Sequence, residues 1–342
     1  MTDLPTDTVL DAIADRRAER RNFLRYAGGA AASAGGLALL AACGGDNDDG
    51  NATPSPTPTA SSSASAVDAN VLNFALNLEY LEAQFYSWAA FGQALPAALT
   101  TGVGATGTVT GGAAVPFSDP IVAQYAREIA VDEVQHVAFL RNVLGGSAVA
   151  MPAINIAGDA TGAFTAAARA AGVVGATGVF NPYADDVSFL LGAYLFEDVG
   201  VSAYKGASPL ITNNTYLDAA AGILAVEAFH AGLIRNALYA KGIGASTLRT
   251  ASESISNARD TLDGPADLDQ GVATQTVPYV NTGGTTVNVQ VSNIAPTDAN
   301  GIAFSRTPAQ VRNIVYLTAG TSASSGGFFP NGVNGTLRTT AA

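Results

Sequence analysis

Both histidines of this 342-residue chain follow a glutamate by three positions, although the chain contains only eight glutamates. The two pairs are Glu133 with His136 and Glu227 with His230. Residues three apart lie on one face of an α-helix, so the two side chains of a pair can bind or flank the same ion. The spacing therefore predicts two helices that each present a carboxylate and an imidazole on one face.

Two further glutamates, one upstream of each pair, are followed seven residues later by a tyrosine. Glu79 precedes Tyr86 in this way, and Glu197 precedes Tyr204. Seven residues span about two helical turns, so each tyrosine lies on the same inward stripe as its glutamate. Four helices in this order supply the ligand set of a dinuclear carboxylate metal site in a four-helix bundle. The predicted metal ligands are Glu79, Glu133, His136, Glu197, Glu227 and His230.

The similarity between the two Glu-x-x-His helices continues beyond the ligands. Residues 133–144 align without gaps on residues 227–238, and the Glu, His, Arg, Asn and final Leu are identical. Most other positions keep their apolar character. A duplicated helical hairpin explains this repeat.

Carboxylate oxygens combined with imidazole nitrogens suit iron and manganese, and zinc is also compatible. We therefore predict two Fe or Mn ions. The alternative is that the histidines are buried, hydrogen-bonded core residues and the glutamates are surface charges. Glu197 follows an apolar run from Phe189 to Phe196, where an unpaired buried carboxylate would be very costly. A bound cation removes that cost.

The helical motifs resemble the ferritin-like superfamily, in which each half of the bundle supplies a Glu-x6-Tyr helix and a Glu-x-x-His helix. Residues 72–86, 306–316 and 326–332 further resemble the desiccation-related ferritin-like proteins. The resemblance covers residues 68–335. It implies an all-α, ferritin-like four-helix bundle with a long crossover, and it implies a metal site more firmly than a reaction.

Four residues near the predicted ligands have two interpretations each. Tyr86 and Tyr204 either donate hydrogen bonds to ligand carboxylates or are core aromatics with satisfied hydroxyls. Glu82 shares a face with Glu79 and is a candidate alternate ligand, although its counterpart in the repeat is Gly200. Asp132 resembles an aspartate that orients a ligating imidazole in related sites, and a plain surface role is the alternative.

The first 42 residues have the pattern of an export signal rather than of a folded segment. Arg20 and Arg21 resemble a twin-arginine motif, and a weakly apolar stretch follows them. Residues 40–43 then match a lipobox, in which Cys43 is lipidated and becomes the mature N-terminus. The alternatives are an ordinary charged cluster and a buried free thiol. We expect export by the twin-arginine route and a lipid anchor in the bacterial cell envelope, on the periplasmic or outer surface.

Residues 43–67 are rich in Gly, Asp, Ser, Thr, Pro and Ala, and such a stretch is typical of a disordered tether. Residues 68–245 form the predicted bundle, with helices at about 70–92, 119–144, 185–204 and 216–241. The crossover between the second and third helices includes a short helix at about 162–171.

Residues 246–342 are predicted to form a C-terminal extension. Alternating valines at 287, 289 and 291 follow a Gly-Gly turn and predict a small β-hairpin. Thr307 and Gln310 form a capping box that opens a fifth helix to about residue 318. Its apolar face packs on the bundle or on a neighbouring subunit, so a homodimer is one alternative.

The overall charge excludes one class of function. The formal net charge is −12, and the only lysines are Lys205 and Lys241. A chain without a basic stripe is not expected to bind nucleic acid.

The predicted site favours redox chemistry on peroxide, dioxygen or Fe2+, as in catalases or ferroxidases. Bridging carboxylates would hold two ions close enough for one small oxygen species to span both. The alternative is a non-catalytic metal-binding or structural stress protein. An iron-storage cage is disfavoured, because a lipid tether and a long extension would hinder a closed shell.

Overall fold

The computed structural model describes residues 66–320 and 322–338. The predicted export signal, the predicted lipidation site at Cys43 and the predicted tether up to residue 65 lie outside the described residues. The export signal, the lipid anchor and the tether therefore stay predictions.

The described part of the chain is mostly helical, which confirms the predicted all-α class. Its α-helices are α1 (Ala66–Phe91), α2 (Pro120–Leu144), α3 (Ala163–Ala170), α4 (Asp186–Ala207), α5 (Asn214–Gly244), α6 (Ser246–Asp263) and α7 (Pro308–Val315). Helices α1, α2, α4 and α5 form the bundle, in which α1 pairs with α2 and α4 pairs with α5. Each half of the sequence repeat thus corresponds to one helical hairpin.

Capping residues explain where the bundle helices begin and end. The Asp119 side chain accepts hydrogen bonds from the first backbone N–H groups of α2, and Pro120 occupies the first helical position. Gly145 ends α2 with a φ of 53°, a conformation that favours glycine. Asp185 and Asn213 cap α4 and α5 in the same manner as Asp119.

The segments between the helices contain two short strands that the sequence did not predict. Strand β1 (Val109–Gly111) lies in the predicted loop after α1, and β2 (Ile154–Ile156) lies in the crossover. The two strands pair in parallel, with Val109 opposite Ile154. The crossover then continues through α3 to the start of α4.

The C-terminal extension contains the predicted hairpin and the predicted helix, and it also contains α6, which was not predicted. Strands β3 (Gln275–Val280) and β4 (Thr286–Val291) are antiparallel. The capping box of Thr307 and Gln310 is formed at the start of α7. The apolar side chains of α7 (Val311, Ile314 and Val315) are buried within this one chain, so this face packs on the bundle.

A buried network of charged side chains holds the extension against α4 and α5. Arg259 of α6 donates hydrogen bonds to Asp198 of α4 and to Asp269 of the extension. Arg306 donates to Asp269 and to Asp263. All five side chains are at most about one-twentieth exposed. Arg235 of α5 also donates to Asp198. We call these six residues the arginine–aspartate network.

Among the described residues, α5 is long and apolar enough to cross a membrane when judged by length and composition alone. It carries Glu227, His230 and Arg235, and all three are buried inside the chain. This placement is typical of a core helix in a bundle.

Candidate metal centre

The six predicted ligands converge inside the bundle. They are Glu79 on α1, Glu133 and His136 on α2, Glu197 on α4, and Glu227 and His230 on α5. All six side chains are buried, and the centroids of the two imidazole rings are 6.1 Å apart. We call these six residues the carboxylate–histidine cluster.

The Glu133 carboxylate lies between the two imidazoles. Its Oε1 is 3.1 Å from Nδ1 of His230, and its Oε2 is 3.6 Å from Nδ1 of His136. One oxygen therefore faces each histidine. A carboxylate in this position can be shared by two ions, one on each side.

The donor atoms lie closer together around His136 than around His230. Donor atoms of Glu79, Glu133, His136 and Glu227 all lie within 4.8 Å of one another. Nδ1 of His136 is 3.2 Å from Oε2 of Glu79 and 3.7 Å from Oε1 of Glu227. Around the second histidine, Nδ1 of His230 is 3.9 Å from Oε2 of Glu197.

Several donor atoms of the cluster have no hydrogen-bond partner among the described residues. They are both carboxylate oxygens of Glu133, both of Glu227, Oε2 of Glu197 and Nδ1 of His230. Buried polar atoms in proteins are nearly always paired, because an unpaired one costs free energy. Six of the eleven unpaired buried side-chain atoms in the described residues belong to the predicted ligands, and this concentration of free donor atoms in one cluster fits metal binding.

The cluster also shifts the pKa values of its carboxyl groups. Burial, only partly offset by the charge of His136, raises the pKa of Glu79 to about 7. Burial, partly offset by His230, raises the pKa of Glu197 to about 8. Burial and the neighbouring carboxylates raise the pKa of Glu227 well above its usual range. Protons therefore compete with a metal ion for these groups.

Glu133 is the exception among the four carboxylates. Burial acts to raise its pKa, but the close contacts with the His136 and His230 imidazoles hold it well below the usual range. Burial disfavours the charged histidines, yet Glu79 and Glu133 raise the pKa of His136 to about 11. Asp132 and Glu133 likewise raise the pKa of His230 to about 10 despite its burial. Glu133 therefore stays a carboxylate, as a shared ligand must.

The two tyrosines act across the bundle rather than on their own helix. The Tyr86 hydroxyl of α1 donates to Oε1 of Glu197 on α4, and the Tyr204 hydroxyl of α4 donates to Oε1 of Glu79 on α1. Each hydroxyl thus fixes one oxygen of a glutamate in the other hairpin. The second oxygen of that glutamate stays directed at a histidine.

Asp132 contacts the histidine of the opposite hairpin. Its Oδ2 is 3.2 Å from Nε2 of His230, while Nδ1 of the same ring faces the cluster. A carboxylate at Nε2 favours the tautomer that carries its proton there and leaves Nδ1 free to bind a metal. The orienting interpretation of Asp132 is the one that this geometry supports.

Glu82 is buried, but it does not belong to the group of four within 4.8 Å. Across from it, a Cβ atom added to Gly200 would lie 2.2 Å from Oε2 of Glu227 and 3.5 Å from Oε1 of Glu82. The Glu227 carboxylate thus uses space that a side chain at position 200 would occupy, whereas Glu82 would only be in van der Waals contact with it. In the sequence repeat, Gly200 occupies the position that corresponds to Glu82.

Comparison with known proteins agrees with this architecture. The sequence model of the ferritin-like domain family matches residues 67–240. The chain is 30% identical over 275 residues to the ferritin-like catalase Nec2 of Nesocodon mauritianus, in an alignment that covers 79% of this chain and 84% of the relative. It is also 30% identical over 251 residues to the desiccation-related protein PCC13-62 of Craterostigma plantagineum, covering 70% of this chain and 75% of the relative. No solved structure matches significantly.

Proposed function

This chain belongs to the ferritin-like domain family, and from that premise we propose that it is a di-iron or di-manganese protein that breaks down hydrogen peroxide. The observation that carries the proposal is the position of Glu133, with one oxygen facing each imidazole. The unpaired donor atoms around it provide independent support.

The two halves of the cluster would hold one ion each. Glu79, His136 and Glu227 surround the first position, and Glu197 and His230 surround the second. Glu133 would be shared between them. Iron or manganese prefers about six ligands, so the protein donors leave places for water or a small oxygen compound.

A pair of iron or manganese ions would supply the redox chemistry, since two ions together can exchange the two electrons that convert peroxide to water or to dioxygen. The name of one relative, a ferritin-like catalase, favours peroxide as the substrate. Oxidation of Fe2+ by dioxygen is the related activity that the same donor set supports.

The residues around the ligands have positioning roles in this proposal. Tyr86 holds the carboxylate of Glu197, and Tyr204 holds that of Glu79. Asp132 orients His230. Interactions of this kind commonly change metal affinity or activity by about 10- to 100-fold when they are removed.

A second candidate function is a structural stress protein that keeps its metal only for stability. The relative named as a desiccation-related protein favours it. A structural site is closed by protein ligands, whereas a catalytic site keeps an open position. Turnover by the metal-loaded protein therefore separates the two candidates.

The test compares variants of the iron- or manganese-loaded protein for oxygen release from peroxide and for Fe2+ oxidation. We expect turnover by the wild type and its loss in Glu133→Ala and His230→Ala. Glu128→Ala is the matched control, because Glu128 is an exposed glutamate on the same helix as Glu133. If the loaded wild type turns over neither substrate while metal removal lowers its melting temperature, the structural candidate is correct.

We also propose that the protein is exported and lipid-anchored, which places a peroxide-consuming bundle at the cell envelope. The proposal rests on the order of the twin-arginine motif, the apolar stretch and Cys43 in the sequence.

A further inference from the structure

A small cavity lies between α1 and α4, beneath α7. Its volume is about 20 Å³, which is enough for roughly one water-sized molecule. Apolar side chains form most of its wall, among them Leu78, Leu195 and Val315. The polar exception is Glu82, which lies in the wall together with Gly200.

This cavity adjoins the carboxylate–histidine cluster through Glu82 and Gly200. The point where a Cβ of Gly200 would stand is 3.5 Å from Oε1 of Glu82 and 2.2 Å from Oε2 of Glu227. The missing side chain at position 200 therefore brings the wall of the cavity within contact distance of Glu227, a member of the cluster. Glu82 is 6% exposed, whereas Glu227 is fully buried.

We propose that this cavity is the inner end of the route by which small neutral oxidants, hydrogen peroxide or dioxygen, reach the cluster, and that α7 sets its width. This inference rests on the proposed peroxide chemistry and specifies how its substrate enters. An apolar wall disfavours passage of an ion, because a charged species would lose its hydration along a wall in which Glu82 is the single compensating side chain. The wall therefore favours peroxide or dioxygen over Fe2+ as the species that uses this route.

Helix α7 allows the route to be altered on an element that carries none of the predicted ligands. Val315→Phe would place extra ring atoms in a cavity of about 20 Å³ and should fill it. Val315→Ala should widen it. Val311→Phe is the matched control, because Val311 is a buried valine on the same helix that lines a neighbouring groove without Glu82.

Two readouts test the route separately from the proposed function. Metal-free crystals of each variant under dioxygen pressure report cavity occupancy without any need for turnover. Steady-state kinetics of the metal-loaded variants report access, with metal content and melting temperature measured for every sample. We expect dioxygen beside Glu82 in the wild type and in Val311→Phe, and none in Val315→Phe. We also expect Val315→Phe to lower kcat/KM for peroxide about tenfold, with metal content unchanged.

A bulky alkyl hydroperoxide provides the opposite test, since Val315→Ala should accept it better than the wild type does. The route is refuted if dioxygen does not enter beside Glu82, or if Val315→Phe excludes dioxygen but keeps wild-type kcat/KM. If the loaded wild type has no turnover, the proposed function fails. The dioxygen result then decides whether the cavity admits small neutral molecules.

Discussion

The arginine–aspartate network makes a quantitative prediction about the role of the C-terminal extension. Asp269 accepts hydrogen bonds from Arg259 at 2.8 and 3.0 Å and from Arg306 at 2.6 Å. It is 3% exposed. Asp269→Asn keeps the size of the side chain but removes the charge that faces two buried guanidinium groups. Breaking a buried ion pair by removing one partner costs about 3–5 kcal/mol.

The structure places the cost for Asp269→Asn at the lower end of that range. Arg259 keeps Asp198 as a partner, and Arg306 keeps Asp263. We therefore expect the free energy of unfolding to fall by about 3 kcal/mol. For a domain of this size, that loss corresponds to a decrease in melting temperature of roughly 6 °C.

The assay is thermal and urea unfolding of metal-free protein, so that metal binding does not contribute. Asp218→Asn is the matched control, since Asp218 is exposed on α5 and surface substitutions usually change stability by less than about 0.5 kcal/mol. If Asp269→Asn lowers the free energy of unfolding by less than about 1 kcal/mol, as an exposed ion pair would, the arginine–aspartate network does not hold the extension in place.

The stability that the arginine–aspartate network contributes depends on pH with a definite sign. Burial acts to raise the pKa of Asp269, but the charges of Arg259 and Arg306 hold it below the usual range. A group with a depressed pKa in the folded state stabilises the protein above its unfolded pKa, and this contribution is lost as the pH falls through the folded pKa. The difference in stability between wild type and Asp269→Asn should therefore shrink below about pH 4.

The remaining predictions concern the site and the anchor. Tyr86→Phe removes the donor to one oxygen of Glu197, and we expect about tenfold lower turnover with two ions still bound, measured by kinetics alongside metal analysis. Gly200→Ala would place Cβ 2.2 Å from Oε2 of Glu227, so metal analysis should show fewer ions per chain; an unchanged ratio would mean that Glu227 is not held against α4. Because burial raises the pKa of Glu197 to about 8, protons should compete with the metal, and the affinity measured by titration calorimetry should fall as the pH is lowered from about 8 to 6. Cys43→Ser should move the protein from membrane to soluble fractions, and continued membrane association would indicate an uncleaved anchor instead.

The sequence predicted the bundle well because its signals are local. The cap at Asp119, the stop at Gly145 and the capping box at Thr307 each act within a few residues, and the structure contains all three. The convergence of the cluster was predictable for a related reason, since a repeated spacing on helices places the ligands on inward faces.

Helix α6 was missed because its buried face is polar. Its buried residues are Ser252, Ile255, Ser256, Arg259 and Asp263. These positions follow the helical period, but four of the five side chains are polar, so a search for apolar periodicity does not detect them. Arg259 is buried because its partners Asp198 and Asp269 come from other parts of the chain, and sequence spacing alone does not reveal such pairs.

The crosswise contacts in the site were beyond sequence reasoning for the same reason. Spacing placed Tyr86 on the stripe of Glu79, whereas the structure directs its hydroxyl to Glu197. Asp132 likewise contacts His230 rather than the histidine of its own helix. Both contacts depend on how the two hairpins pack, which no local pattern specifies.

Element-specific anomalous diffraction from crystals of protein loaded with iron or manganese tests the central claim most directly. We predict two peaks inside the bundle, about 4 Å apart, on opposite sides of the Glu133 carboxylate, with His136 beside one and His230 beside the other. A single peak, or no peak between these histidines in fully loaded protein, would contradict the di-metal assignment.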